Sequence, residues 1–305
     1  MLFASIDIGT NAARLLFANV YESKAGPVTE KASLLRIPLR LGFDVFSDGS
    51  ISEQREADLL KTMQAFKLLI DVYRPVGYRV VATAAMREAG NNAGILERVK
   101  RETGLEINII DGNEEAGIIS LLGNTLIADN SGKSLYIDVG GGSTDVSVME
   151  NNHFVSSASF KIGTIRLLTE KVADAEWKQL RKWLRQFRNG PGRISCIGSG
   201  GNINKIIKLF GESLSNSISY DQLIRAHKQL KRMPLNERIG KMGLRPDRAD
   251  VIVPAAEIFI KIMKWMDIPV IVAPKIGLAD GLVLLQYKTM KEQGLIPDTV
   301  AAPEK

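Results

Sequence analysis

Two stretches of this chain follow one plan. "SIDIGTNAARLLFANV", residues 5–20, and "YIDVGGGSTDVSVMEN", residues 136–151, each run strand, aspartate, glycine-bearing turn, strand. In both, further strand-like segments follow, and then helix and strand alternate. That weak internal repeat predicts an α/β fold of two similar lobes facing one another across a central cleft, with both turns directed into it. Ligands of α/β sheets sit at strand ends, and large pockets form between domains. The repeat divides the 305 residues into 1–125 and 126–285, with the boundary in residues 124–133.

Composition narrows the chemistry. The chain is 45% hydrophobic and 24% charged, as ordinary globular proteins are, and has no apolar run fit to span a membrane. "MLFASIDIGT" lacks the basic start of a signal peptide. A single cysteine, Cys196, cannot form an internal disulfide, which fits a reducing cytoplasm, and core packing is its expected role. Two histidines, His153 and His227, lie far apart, so zinc is not expected and any metal should be a hard cation on carboxylates. The formal charge of +6 favours an anionic partner. No nucleic-acid module is recognised, and neither nucleic acid nor membrane is an expected partner.

Local patterns supply the elements. Ser52 is a plausible N-cap for a helix whose apolar positions are Leu59, Leu60, Met63, Phe66, Leu69 and Ile70. The segment before it, "FDVFSDGSIS", reads as a loop. "LEINIID" reads as a strand, followed by a helix from "EEAGIISLLGNTLI". The segment "ADVIVPAAEIFIKIMKWMD" reads as a long helix with Pro254 in its first turns, and "LADGLVLLQYKTMKEQG" as the final helix.

Successive N–H groups in a Gly-rich turn converge into an anion-binding concavity. Gly140, Gly141 and Gly142 let a phosphate approach backbone. Thr10, Ser143 and Thr144 add hydroxyls and Asn11 an amide. Asp138 and Asp145 beside a phosphate make sense if a cation, Mg²⁺ by its oxygen preference, lies between them; the other reading is that both cap turn backbone. No Lys follows the glycines, so this is not a Walker A loop, and a strand rather than a helix follows, so it is not the dinucleotide fingerprint. "GSGGN", with Gly200, forms a third turn ahead of a helix, whose N-terminus favours an anion. On the helix "AEWKQLRKWLRQFR", Lys178, Arg181, Lys182, Arg185 and Arg188 recur at spacings of three and four, as a solvated face would, or as a polyphosphate track.

An ordered set of motifs now resembles one family. "ASIDIGTNAARLLFANV", "LRLG", "TAAMREAGN", "IIDGNEEAGI", "IDVGGGSTDVSV", "KIGTIRLLTE", "IGSGGNINKI" and "LRPDRADVIVPAAEIF" are similar, in order over nearly the whole chain, to blocks of the exopolyphosphatase and guanosine pentaphosphate phosphohydrolase (Ppx/GppA) family. The resemblance implies a two-domain actin-like (sugar kinase/actin/heat-shock ATPase) fold, in which the C-terminal helix, about 286–305, packs back on the first lobe. It implies Mg²⁺-dependent release of terminal orthophosphate from inorganic polyphosphate or guanosine pentaphosphate, a cytoplasmic location and, as an open possibility, a homodimer. It also assigns residues. Glu115, the second glutamate of "EEA", activates water; only one of Glu114 and Glu115 can face a site, since they project about 100° apart. Asp138 and Asp145, with the Gly140 carbonyl, hold the metal. The turns, with Arg87, Arg166 and Gly200, hold phosphate, while Arg14 is a weaker candidate.

Three positions depart from the family pattern. Asp145 replaces the usual Glu, "GGNIN" replaces "GGT", and Asp111 replaces Ser. Two rivals stand beside the hydrolase: an alarmone-binding regulator with weak or no catalysis, binding guanosine penta- or tetraphosphate, and an ATP-dependent small-molecule kinase of the same superfold.

Overall fold

The protein is seen in a computed structural model, which describes residues 1–23, 26–122, 132–151, 153–188 and 194–296. It forms two compact units. One gathers the described residues of 1–122 and 278–305, the other those of 123–277. Of the expected boundary, residues 124–131 lie outside the described residues, as does the end of the C-terminal tail.

In the first unit, β1 (Leu2–Ile8), β2 (Ala13–Ser23) and β3 (Gly26–Ile37) form an antiparallel meander. Parallel strands β4 (Gly77–Ala82) and β5 (Asn108–Ile109) extend it, giving the order β3-β2-β1-β4-β5 among the described residues. The central strand "LFASIDI" is buried on both faces, which explains its near-continuous apolar run. Helices α1 (Leu41–Asp48) and α2 (Glu53–Tyr73) follow the meander, then α3 (Ala84–Glu88), α4 (Asn92–Thr103) and α5 (Gly112–Ser120). The Ser52 hydroxyl caps α2 as its sequence position suggested, accepting from Arg55 N–H. The first six residues of the stretch read as a loop belong instead to helix α1, closed by Gly49 at φ 77°. Its apolar Leu41 lies one helical turn before the adjacent Val45 and Phe46, and all three are buried.

The second unit repeats the meander with β6 (Lys133–Val139), β7 (Thr144–Glu150) and β8 (His153–Phe160), followed by helices α6 (Thr164–Leu168) and α7 (Asp174–Arg188). Strand β9 (Ser195–Ser199) lies parallel to β6, as β4 does to β1. It leads into α8 (Gly201–Phe210), the short strand β10 (Ser217–Ser219) and helices α9 (Tyr220–Arg232), α10 (Leu235–Gly240), α11 (Pro246–Ala249) and α12 (Ile252–Met266), then β11 (Val270–Val272). The order is β10-β11-β9-β6-β7-β8. Ile137 and Val139 of β6, Ile203 and Ile207 of α8, and Phe259 and Met263 of α12 share one core with Cys196. Pro254 falls in the first turn of α12, where its missing N–H costs no intrahelical bond.

Helix α13 (Leu278–Glu292) belongs to the first unit and begins at Leu278 rather than near residue 286. Ala279, Val283 and Tyr287 pack on Phe3, Leu16 and Val20. Polar bonds fix its register: Ser5 Oγ donates to Ala279 O (2.8 Å), and Gln286 Nε2 donates to Ala4 O (2.9 Å). No helix among the described residues is long and apolar enough to cross a membrane.

Candidate functional site

The β6–β7 turn is built so that its carbonyls face one way. Val139 and Thr144 form the last ladder pair, and Gly140 N–H closes the turn onto Ser143 O at 3.0 Å. The chain after β8 then folds back on it. Thr164 N–H donates to Gly140 O (3.0 Å), Ile165 N–H to Gly141 O (2.9 Å), and Arg166 Nε to Gly142 O (2.6 Å). Three carbonyls are thereby occupied from behind. The N–H groups of Gly141, Gly142 and Ser143 donate to no protein acceptor among the described residues. Unpaired, closely spaced donors of this kind suit an anion.

This packing places two of the predicted residues. Thr144 does not offer its hydroxyl to a ligand: the residue is fully buried and donates to Ile162 O at 2.5 Å, because its strand register turns it towards the core. Arg166, 7% exposed, braces the turn through its Nε–H bond to Gly142 O. Gly140 also differs from its neighbours, since its N–H closes the turn. Its carbonyl keeps a second lone pair beyond the one used by Thr164.

Asp138 and Asp145 are direct partners in the antiparallel register, so both side chains emerge on one face. Asp145 is 5% exposed and accepts from Ser143 Oγ at 3.1 Å. Asp138 accepts from Ser199 Oγ at 3.3 Å. The parallel pairing of β6 with β9 sets Asp138 opposite Ser199, which brings the third turn beside it. Gly200 adopts φ 102°, and a Cβ there would lie 3.3 Å from Asp138 Oδ1. Behind this turn, Arg248 donates Nη1–H to Gly201 O (3.2 Å), and a Cβ on Gly201 would meet its Nη2 at 2.7 Å. Arg248 escaped the sequence reading although it stands in the matching block "LRPDRAD". Among the described residues no three His, Cys, Asp or Glu side chains gather as a metal group. The donor set is two carboxylates on one face, all oxygen. That suits Mg²⁺, which takes one or two protein carboxylates and completes its shell with phosphate and water.

The first unit holds a sister turn. Gly9 N–H closes onto Ala12 O (3.1 Å), Gly42 N–H donates to Thr10 O and Arg40 N–H to Asn11 O, both at 3.0 Å. The "RLG" segment thus does here what residues 164–166 do in the second unit. Thr10 is 4% exposed and Asn11 half-buried. The paired residues at this hairpin are Asp7 and Arg14, joined by a 2.5 Å ion pair in which the Asp7 side chain is 5% exposed. Asp7 was not singled out from sequence; its match to Asp138 in the repeat was the available signal.

Glu115 lies in the first turn of α5 and is half-buried, whereas Glu114 is exposed. Asp111 caps that helix, its carboxylate accepting from Asn113 and Glu114 N–H at 2.8 and 2.9 Å. The Asp-for-Ser departure is thus one good N-cap for another. Arg87, in α3, donates Nη1–H to Ile110 O (2.7 Å), next to that cap. It has no acidic partner among the described residues, so its remaining N–H groups are free for an anion.

Comparison with known proteins follows the same lines. The sequence profile of the Ppx/GppA phosphatase family matches residues 20–290. A "Guanosine-5'-triphosphate,3'-diphosphate pyrophosphatase" of Vibrio parahaemolyticus is 25% identical over 99% of this chain. The chain spans 62% of that relative's length. "Exopolyphosphatase 1" of Mycobacterium tuberculosis is 25% identical, with 93% of this chain and 88% of that protein covered. The crystal structure of the Aquifex aeolicus Ppx/GppA family member superposes with a TM-score of 0.73 at 26% identity, covering 96% of this chain and 98% of that one.

Proposed function

The chain belongs to the Ppx/GppA phosphatase family, and on that premise we propose that it is a Mg²⁺-dependent phosphohydrolase. It releases terminal orthophosphate from inorganic polyphosphate or from guanosine pentaphosphate. The observation that carries this reading is the 140–143 turn, with its carbonyls tied back and the N–H groups of Gly141, Gly142 and Ser143 left to donate.

Charge on the phosphoryl oxygens is met by preorganised donors, which need no reorganisation when that charge shifts in the transition state. Those donors are the turn N–H groups, the N-terminus of α8 beside Gly200, and Arg87. Thr10 and Asn11 hold further phosphate oxygens on the sister turn. Asp138 and Asp145 would hold Mg²⁺, which supplies neutralisation of phosphate charge. Glu115 takes a proton from water as the water oxygen bonds to the terminal phosphorus. The anhydride P–O bond breaks, and its electron pair leaves with the shortened chain.

Phosphate release from long-chain polyphosphate, guanosine pentaphosphate and ATP, each with Mg²⁺ and with chelator, tests this. Release from either of the first two is expected to stop in chelator and to fall by about 10²–10⁴ in Glu115→Gln. ATP-dependent transfer to a small acceptor would instead make it a kinase. Tight guanosine pentaphosphate binding without turnover would make it a sensor.

A further inference from the structure

The protein's positive charge is concentrated. Helix α7 has five basic residues against two acidic, α9 four against one, and α12 two against one. Together their excess is larger than the +6 of the whole chain, so the rest of the protein is close to neutral. Both α7 and α9 pack against α12. Across the outer strip of α12, Lys261 pairs with Glu257 (3.3 Å) and lies 4.1 Å over the Trp177 ring of α7. Arg181 of α7 lies 5.8 Å over Trp265 of α12. On the α9 side, His227 feels the charges of Glu257 and Lys231, though burial is what chiefly lowers its pKa. The three helices therefore present one continuous surface. Arg188 is neutralised by Asp267. Lys178, Arg181, Lys182 and Arg185 are exposed and have no acidic partner among the described residues, and the same holds for Lys228 and Lys264.

We infer that this helical face is a docking surface for a long linear polyanion, inorganic polyphosphate, apart from the turns that hold the reacting phosphate. The inference rests on the phosphohydrolase reading above and names polyphosphate as its substrate class. Lys178, Lys182 and Arg185 follow one another at helical spacing, so they form a stripe along α7. A row of separate cations on an open face suits a ligand with charge at every repeat, bound through counterion release. Single-stranded nucleic acid binding relies on rings free to stack. Here Trp177 and Trp265 are half-buried against each other, 6.1 Å apart and edge-on, beneath Lys261 and Arg181. A membrane-lying helix needs an exposed apolar face, and none of the large exposed apolar side chains belongs to α7, α9 or α12.

The test measures binding of long-chain polyphosphate, tripolyphosphate, single-stranded DNA of matched charge and phosphatidylserine vesicles across a salt series. Wild type is compared with Lys178→Gln/Lys182→Gln/Arg185→Gln and with a second variant on α9, Lys228→Gln/Lys231→Gln. These are surface changes, so thermal midpoints should hold, which is checked first. Long-chain affinity should drop about 10-fold in the α7 variant near about 0.1 M salt, and the log–log salt slope should flatten by about 2. The α9 variant should show a smaller drop, and tripolyphosphate should bind all three proteins alike. Unchanged long-chain affinity in both variants overturns the surface, as does tighter binding of DNA or vesicles to this face. Phosphate release with unchanged long-chain affinity sinks the surface alone. Long-chain binding lost in the variants, without release from any substrate by wild type, supports the surface and sinks the hydrolase.

Discussion

The two hairpins share a backbone and differ in charge. Gly9 closes onto Ala12 and Gly140 onto Ser143 by the same bond, and in each a segment following the third strand binds the turn carbonyls. The paired residues two positions outside each closing bond are Asp7 with Arg14 in one hairpin and Asp138 with Asp145 in the other. The first unit neutralises its buried aspartate from within. The second sets two carboxylates side by side on one face, a like-charge pair that a bound cation would relieve. One repeated scaffold thus carries an ion-paired aspartate in one unit and, on our reading, a cation-holding pair of aspartates in the other.

The largest effects should come from the charges. Arg14→Gln leaves Asp7 buried without its cation and should lower unfolding free energy by ~3 kcal/mol. Asp145→Asn removes one of two facing carboxylates, relieving a like-charge pair, and should cost less in chelator than Arg14→Gln does. Urea unfolding of both variants measures the contrast, and equal losses would break it. Added Mg²⁺ should raise the melting temperature of wild type, by ~2.7 kcal/mol of stabilisation at a hundredfold excess over Kd. It should do so in Arg14→Lys but not in Asp145→Asn.

Next come the two glycines at which the turns are buttressed. A Cβ on Gly163 would run into the backbone of Gly141 and Gly142, whereas one on Gly42 would meet the Thr10 methyl. Backbone yields less readily than a side chain. Gly163→Ala should therefore cost more than Gly42→Ala, within the ~1–3 kcal/mol typical of overpacking. The difference in denaturation midpoints measures it, and the reverse order would show the second turn to be the softer one.

How far the sequence disclosed this follows the range of the interactions. Both hairpins were legible because strand, glycine turn and strand are local signals. So were α2, through Ser52, and α12, through a proline its first turn tolerates. Helix α1 was missed because its eight residues contain Asp44, Ser47 and Asp48 and its N-cap is Arg40 in a left-handed conformation, not a Ser or Asp. "LEINIID" looked like a full strand, yet only Asn108 and Ile109 pair with β4. The fate of the turn carbonyls was illegible, since residues some twenty-five positions onward bind them. Thr144 misled for a related reason: a hydroxyl in a motif does not say which face of the strand it occupies.

A smaller effect concerns the cap of α5. Asp111→Ala should lose ~1 kcal/mol, while Asp111→Ser should be near neutral, because either side chain can accept from the N–H groups of the first turn. Thermal unfolding compares them. If Ser costs as much as Ala, the departure from the family pattern is doing more than capping.

The smallest effect lies at the far end of the first hairpin, where Glu22 of β2 accepts hydrogen bonds from Lys291 and Tyr287 of α13. Those bonds, Lys291 first, hold the Glu22 carboxyl below the ordinary glutamate range. A depressed folded-state pKa contributes stability above the unfolded value, about 4.3, and loses it as pH falls through the depressed one. Glu22→Gln should therefore cost less than ~1 kcal/mol at neutral pH, since the pair lies near the surface. The gap to wild type should shrink as pH falls below about 4. Melting temperatures of both proteins from neutral pH downward measure it. A gap that persists in acid would mean that α13 is held by Ser5, Gln286 and its apolar face rather than by this charge.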